Sequence, residues 1–311
     1  MGKPACFWST DVKRLRLKIG GRTLVVAAPY LWLLVFFLAP FVIVLKLSFA
    51  EPLIAQPPYS AVFAWSSGLL PEFKGSLDNY AFLLTDDLYI TAYLNSIRIA
   101  LVSTFICLLI GYPMAYGIAR APGSWRNALL MLVILPFWTS FLIRVYAWIG
   151  ILKNNGILNN LLMTFGVIDE PLQLLHNHFS VYLGIVYSYL PFMILPLYAN
   201  LARMDDSLLE AAADLGCRPW KAFVSVTLPL SIPGIVAGSM LVFIPAVGEF
   251  VIPELLGGPD TLMIGKILWN EFFQNRDWPV ASAVAIAMLV LLVIPIVIFQ
   301  HYQNRESESA T

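Results

Sequence analysis

Six long apolar stretches limit what this sequence can fold into. The hydrocarbon core of a membrane is ~30 Å thick, and a helix rising 1.5 Å per residue crosses it in about 20 apolar residues while satisfying its own backbone. With 59% hydrophobic and 12% charged residues, the chain lies outside the range of soluble domains. The sequence therefore predicts an all-α membrane protein with six transmembrane helices. The uncharged runs are Leu24 to Leu45, Ile99 to Ala119, Phe179 to Ala202, Ala222 to Gly248 and Trp278 to Gln300, and a sixth run, Asn127 to Leu152, is interrupted only by Arg144.

The distribution of basic residues predicts the orientation of these helices. Twelve of the 19 Lys and Arg residues lie in the termini, in the 120–126 turn or in the 203–221 loop. The positive-inside rule places these segments, and hence both termini, in the cytoplasm. The predicted organisation is a cytoplasmic tail (1–23), a first transmembrane helix (24–49), an outer loop (50–92), a core of five transmembrane helices (93–301) with a cytoplasmic loop at 203–229, and a second cytoplasmic tail (302–311).

The 203–229 loop contains a short polar helix between two apolar runs. Ser207-Leu-Leu-Glu210 has the spacing of a capping box, in which the Ser207 hydroxyl accepts from the Glu210 amide. Gly216 suits the left-handed position that closes a helix, and Pro219 suits the first turn of the next one. The pattern predicts two short consecutive helices.

The first of these helices is amphipathic. Leu208, Ala212 and Leu215 share one face, whereas Glu210 and Asp214 lie off it. This arrangement indicates that the helix packs on the protein through an apolar face, its root, while the acidic side chains project away from it. On spacing alone, an ordinary amphipathic connector is the simpler interpretation.

The same loop resembles a family motif. Glu210-Ala211-Ala212, the glycine at 216, and Val226-x-Leu228-Pro229 are similar to the EAA loop of permease subunits in ATP-binding-cassette importers, which usually have Ile where Val226 stands. In that family the loop forms coupling helices that dock into a cleft of the cytoplasmic ATPase, so the resemblance implies that Glu210 contacts a basic residue there. The implied ATPase-coupling residues are Ser207, Glu210, Ala211, Ala212, Asp214, Gly216, Leu228 and Pro229.

Longer stretches are similar to the putrescine-type polyamine permeases of this family. They are LPFWTSFLIRVYAWIGILKNNGILNN, FIPAVGEFVIPELLGGPDTLMIGKIL and FFQNRDWPVASAVAI. The resemblance implies the type I importer permease (MetI-like) fold and a place in the inner membrane of a bacterium. It also implies half of a translocation pathway for polyamines, with putrescine favoured. Related permeases serve sulfate, iron or molybdate, which stay open as alternatives.

The resemblance further implies a set of partners. They are a second homologous permease, two ATPase subunits that use ATP and Mg²⁺, a periplasmic polyamine-binding protein and the surrounding membrane lipid, with no nucleic acid. An ATP-independent channel or carrier, the alternative from another class, would need no ATPase-docking loop.

Motifs for chemistry within the chain are missing from the sequence. Gly265-Lys266 is the nearest approach to a phosphate-binding loop, but Ile267 stands where Ser or Thr must hold Mg²⁺, and Asp260 where the first Gly should be. The sequence has no H-E-x-x-H, Cys-His cluster or catalytic serine context. We therefore expect a transport subunit without enzymatic activity, cofactor or metal.

Three charged residues fall within or beside predicted transmembrane helices. A charge at the bilayer centre costs ~2.5–3.5 kcal/mol on insertion scales, so Arg144, Glu249 and Glu254 are expected to face a partner or a wet path. Carboxylates with aromatic faces suit a polyamine, which joins ammonium groups by methylenes. Trp138 and Tyr146 complete the predicted pathway set.

The role of these charges has two interpretations. In the structural one, Arg144 pairs with a glutamate or the charges reach the outer headgroups. In the functional one, Glu249 lies deep in the path, while Glu254 lies at its entrance or pairs with Arg144. Residues five apart lie about 140° from each other on a continuous helix, so Pro253 is expected to break the helix between the two glutamates.

Overall fold

The computed structural model describes the backbone of residues 21–64 and 72–309, with side chains over 25–63 and 73–297. The chain divides into two compact units, residues 1–46 and 47–311. Nearly all of the predicted N-terminal tail (1–23) lies outside the described residues. The last helix extends into the predicted C-terminal tail (302–311) as far as Ser309.

The described part of the first unit is an apolar helix that begins at Gly21. α1 (Gly21–Leu33) passes through a π-helical turn (Leu34–Leu38) into α2 (Ala39–Leu47). The residues on either side of the π-turn keep right-handed helical dihedral angles, so the helix is not interrupted there. Its extent agrees with the predicted first transmembrane helix at 24–49.

The segment after α2 is a small folded loop. A two-residue antiparallel pair, β1 (Phe63–Ala64) with β2 (Glu72–Phe73), precedes α3 (Asp78–Thr85). The buried Asn79 amide donates to the carbonyls of Ser48 and Ala50 at 2.9 and 2.8 Å. This side chain therefore ties α3 to the first residues of the loop.

In the described part of the chain, eight further helices follow before the last four. They are α4 (Asp87–Arg120), α5 (Gly123–Ile134), α6 (Phe141–Leu152), α7 (Ile157–Thr164), α8 (His178–Leu201), α9 (Ser207–Asp214), α10 (Pro219–Ala222) and α11 (Leu228–Leu230). The remaining ones are α12 (Ile232–Val247), α13 (Val251–Leu255), α14 (Ile264–Phe273) and α15 (Trp278–Ser309). α4 begins at Asp87, so the outer loop is shorter than the predicted 50–92.

Three of these helices, α4, α8 and α12, pack together at the centre of the second unit. Cys107, Met193 and Val242 are fully buried where they meet. Glycines allow the close approach: a Cβ added at Gly238 of α12 would lie 2.9 Å from Met193 Sδ and 3.0 Å from the Met193 carbonyl. Small residues at helix contacts are typical of membrane proteins, where close packing replaces the hydrophobic effect.

Two predicted transmembrane helices are bent. In the first, α5 and the 3₁₀ turn that follows it (Leu135–Trp138) form one segment, which meets α6 at an angle of 90° around Thr139. In the second, the segment Pro219–Leu230 meets α12 at an angle of 63° around Ser231. The Asn127 to Leu152 and Ala222 to Gly248 runs are therefore not straight helices. Pro136 lacks an amide donor, and the hydroxyls of Thr139 and Ser231 donate to the Pro136 and Leu228 carbonyls at 2.8 Å, which satisfies groups freed by the bends.

The helix count agrees with the sequence-based expectation. Among the described residues, four helices are long and apolar enough to cross a membrane, or six when each bent pair is one crossing. The prediction of an all-α membrane fold with six crossings is confirmed, with two of the crossings bent.

The close contact between α8 and α12 gives a testable prediction. Gly238→Ala should lower the thermal stability of the purified subunit, because the new Cβ meets backbone and side-chain atoms of Met193, and overpacking of this kind costs typically 1–3 kcal/mol. Gly117→Ala in α4 is the matched control, because a Cβ there meets nothing within 4 Å. Thermal unfolding in detergent, followed by size-exclusion chromatography, compares the two, and equal unfolding temperatures would contradict the packing argument.

Candidate functional site

The 205–230 segment places the predicted coupling residues at one end of the helical core. α9 begins at Ser207 itself, and the Ser207 amide donates to Asp205 Oδ1 at 2.9 Å. The predicted capping box is therefore wrong: Asp206 stands at the N-cap without a side-chain capping bond, the Asp205 carboxylate accepts from the first amide of α9 in its place, and the Glu210 amide donates to the carbonyl of Asp206. Hydrogen bonds from the Ser207 amide and from its hydroxyl lower the pKa of the Asp205 carboxyl. An ion pair between Arg120 and Asp206 joins the start of α9 to the end of α4.

The predicted end of α9 is confirmed. Gly216 has φ +77°, in the left-handed region that favours glycine. The Gly216 and Cys217 amides donate to the carbonyls of Ala213 and Ala212, which satisfies the last turn. Pro219 then stands in the first turn of α10, as expected.

The predicted apolar root of α9 is wrong. Leu215 is 87% exposed and Leu208 44% exposed, while Ala212 is half-buried. Trp220, on α10, is 73% exposed and stacks on Phe223. The apolar side chains therefore lie on the surface beside the acidic ones and form an exposed patch, which we call the α9–α10 patch. It consists of Leu208, Glu210, Asp214, Leu215 and Trp220, with Ala211, Leu228 and Pro229 exposed nearby.

A second group of predicted residues lies around the break between α12 and α13. α12 ends at Val247 and α13 begins at Val251, so the chain breaks before Pro253 and not at it. Glu249 is 7% exposed within this break. Its Oε1 accepts from the amides of Val251 and Ile252 at 3.0 and 3.3 Å, and its Oε2 accepts from the Tyr189 hydroxyl. Glu249 thus caps α13 and links it to α8.

The two other intramembrane charges do not pair with each other. Glu254 Oε2 lies 3.1 Å from Lys266 Nζ, so the predicted alternative of a Glu254–Arg144 pair is wrong. Arg144, on α6, places its guanidinium carbon 5.1 Å from the Phe137 ring centre and 5.8 Å from that of Phe141. Its Nε and Nη1 are buried without a hydrogen-bond partner. The pairing of Lys266 with Glu254 was not predicted, because the spacing between the two residues in the sequence does not indicate that they are in contact.

Glu249 and Arg144 line one cavity of about 430 Å³. Its polar side chains include Ser188 and Tyr189 as well as these two charged residues. Phenylalanine rings form much of the remaining wall, namely Phe137, Phe141, Phe192 and Phe250. The cavity therefore combines a buried carboxylate with aromatic faces, an environment that can hold an organic cation.

The remaining predicted pathway residues lie elsewhere. Trp138 and Tyr146 are 74% and 58% exposed and do not line this cavity. Sequence reasoning missed Tyr189 and the four phenylalanines. A tyrosine in an apolar run was the available signal for Tyr189, since its hydroxyl needs a partner when buried.

Comparison with known proteins identifies the class of this chain. Residues 107–308 match the family of binding-protein-dependent transport system inner membrane components. The chain belongs to this family. It is therefore a multi-pass inner-membrane transport subunit and not an enzyme.

Individual relatives agree with the family match. The spermidine/putrescine transport system permease protein PotB of Haemophilus influenzae is 40% identical over 278 residues, which cover 89% of this chain and 92% of that protein. PotB of Escherichia coli is 41% identical over 224 residues, covering 72% and 81% of the two chains. A chain in the crystal structure of a bacterial transporter that imports the acidic polysaccharide alginate has a TM-score of 0.62 and 19% identity, over 91% of this chain and 96% of that one. This structural match supports the importer permease fold.

The position of the α9 cap gives a second prediction. Asp205→Ala should reduce the hydrogen-exchange protection of amides in the first turn of α9, because it removes the carboxylate that accepts from the Ser207 amide. Ser207→Ala is the matched variant and should have a smaller effect, because it removes the hydroxyl bond to the Asp205 carboxylate but keeps the amide bond. Equal losses in the two variants would contradict the assignment.

The same cap predicts a pH dependence. Because the folded pKa of Asp205 is lowered, its contribution is fully present above the ordinary aspartate pKa. This contribution to the stability of α9 should be lost as the pH falls through the lowered pKa of Asp205. Hydrogen exchange of the α9 amides, measured across this pH range, should show the loss in the wild type but not in Asp205→Ala.

Proposed function

We propose that this chain forms half of the translocation pathway of an ATP-driven importer for polyamines, with putrescine as its cargo. The observation that carries the proposal is the 40% identity with a spermidine/putrescine permease over nearly the whole of both chains. The sequence resemblance to putrescine-type permeases favours putrescine over spermidine.

The cavity at the α12–α13 break supports a cationic cargo. Glu249 offers a buried carboxylate, and one of its oxygens is held by Tyr189. Ring faces around it suit both ammonium groups, through cation–π attraction, and the methylenes that join them. Because the remaining oxygen already accepts two amide bonds, the site holds a cation without enclosing it, which suits a path that must release its cargo.

The α9–α10 patch supports a docking role for the 205–230 segment. It combines exposed apolar side chains with the carboxylates of Glu210 and Asp214, a mixture that suits a groove with apolar walls and a basic residue. On this proposal the groove belongs to an ATPase subunit. The Arg120–Asp206 ion pair provides a route by which movement of α9 reaches α4.

The complete assembly follows from the same proposal. A second homologous permease supplies the other half of the pathway, two ATPase subunits hydrolyse ATP in the cytoplasm, and a periplasmic polyamine-binding protein delivers the cargo. Both termini and the 205–230 segment lie on the cytoplasmic side, and this chain needs no cofactor of its own. ATPase closure moves α9 and α10, and the bent helices rock to switch access from one side of the membrane to the other.

Uptake measurements test the proposed cargo. A strain that lacks this chain should lose ATP-dependent uptake of labelled putrescine and regain it when the chain is restored. Unlabelled putrescine should compete more strongly than spermidine, whereas sulfate, molybdate and iron should not compete. Restored uptake of one of those inorganic ions, with no putrescine uptake, would replace the polyamine assignment by one of the alternatives.

Charge reversal at Glu210 tests the docking role. Glu210→Lys should reduce the ATPase that copurifies with the membrane subunits by about tenfold or more, since tenfold corresponds to only ~1.4 kcal/mol of contact energy. Glu170→Lys is the matched control, because it reverses an exposed carboxylate in a segment predicted to lie on the opposite side of the membrane. Normal copurification and ATP-coupled uptake with Glu210→Lys would rule out the docking assignment.

A further inference from the structure

Arg144 is a permanently charged side chain with an unusual position in this cavity. A guanidinium carries a permanent positive charge in proteins. Two of its nitrogens are buried and lack hydrogen-bond partners, although a buried charge is normally paired. Arg144 belongs to neither the Arg120–Asp206 nor the Lys266–Glu254 ion pair, and its nitrogens lie beyond the 4.0 Å ion-pair distance from Glu249.

The contacts that Arg144 does make are those that a cargo ammonium would use. Its guanidinium lies over Phe137 and Phe141, two of the rings that line the cavity. Its charge offsets that of Glu249 across the same space. While Arg144 stays in place, a cation that enters meets occupied aromatic faces and a cavity with no net charge from this pair.

We infer that Arg144 is a tethered competitor for the cargo cation. It holds the cavity electrostatically balanced when no cargo is present, and it excludes cations that carry a single charge. A polyamine displaces it, because one ammonium group can bind at Glu249 while a second takes the ring faces that the guanidinium leaves. The return of Arg144 to the rings then favours release. This inference rests on the proposed function, since a cationic cargo is what Arg144 would compete with.

The geometry of α6 is consistent with such a movement. α6 begins at Phe141, directly after the 90° bend around Thr139, so Arg144 stands one turn into the helix. Phe137 lies before the bend and Phe141 after it. A change of the bend angle therefore changes the space between the two rings that hold the guanidinium, which connects helix rocking to the position of Arg144.

The test uses butylammonium, which has the four-carbon chain of putrescine but only one charged group. The complete purified complex, reconstituted in lipid nanodiscs without the external binding protein, is titrated with labelled butylammonium and with labelled putrescine. The wild-type complex should bind putrescine and should bind butylammonium at least about tenfold more weakly. Arg144→Gln should raise butylammonium affinity about tenfold, raise putrescine affinity less, and slow putrescine uptake per complex.

Three further variants, together with a replacement for Arg144→Gln, make the result specific. Glu249→Gln should abolish the gain in butylammonium affinity when it is combined with Arg144→Gln, because the two residues act on one cavity. Arg144→Lys keeps a cation and should restore much of the discrimination. Lys266→Gln, which removes a cation that pairs with Glu254 outside the cavity, should leave butylammonium binding as in the wild type. Arg144→Met, which leaves no buried polar atom, replaces Arg144→Gln if that variant fails to assemble.

The outcomes separate this inference from the proposed function. If the wild-type complex neither binds nor transports putrescine, the proposed function fails, while the butylammonium comparison still tests Arg144. If butylammonium affinity is the same with and without Arg144, the competitor role is overturned. Loss of assembled complex with unchanged binding and uptake per complex would likewise overturn it, since that is the result of a purely structural arginine.

Discussion

The three hydrogen bonds accepted by Glu249 are the interaction on which the centre of this structure depends. In hydrocarbon, each unsatisfied backbone group costs several kcal/mol, so a membrane helix can stop and restart only where other groups replace its internal bonds. Glu249 does this for the amides of Val251 and Ile252, and Tyr189 holds its other oxygen. One carboxylate thus permits the α12–α13 break, attaches α13 to α8 and gives the cavity its negative charge.

The arrangement of charges around this break separates structural and functional tasks. Glu254 and Lys266 form a direct ion pair and leave little free charge between them. Arg144, in contrast, contacts the rings of Phe137 and Phe141 and is not ion-paired with Glu249. The Glu254 charge is therefore offset by direct contact, whereas those of Arg144 and Glu249 face a shared cavity.

The sequence predicted the features that depend on local chemistry. Apolar run length located the transmembrane helices, and Gly216 and Pro219 marked the end of α9 and the start of α10, because left-handed φ and a missing amide are properties of single residues. The bend around Thr139 was not predicted, because an apolar composition indicates that a segment lies in the membrane but does not show whether its helix is straight. Ser207 was assigned the cap that Asp205 makes, because both residue types can accept the same amide bond.

Features that depend on other parts of the fold could not be predicted. The exposure of Leu215 follows from the absence of any core beneath α9, which amphipathic spacing alone does not reveal. The partnership of Tyr189 with Glu249 joins residues 60 positions apart, and nothing in either local sequence indicates it. The aromatic wall of the cavity likewise comes from several helices and becomes visible only after they pack.

The contact between Gly238 and Met193 restricts how this protein can change over evolution. With Met193 atoms only 2.9 and 3.0 Å from where a Cβ would lie, α8 and α12 can neither slide past each other nor separate without loss of packing. The two positions therefore share one volume. In homologous chains, a larger residue at the position of Gly238 should be accompanied by a smaller residue at the position of Met193. The distance between the axes of α8 and α12 should then stay the same even where these side chains differ.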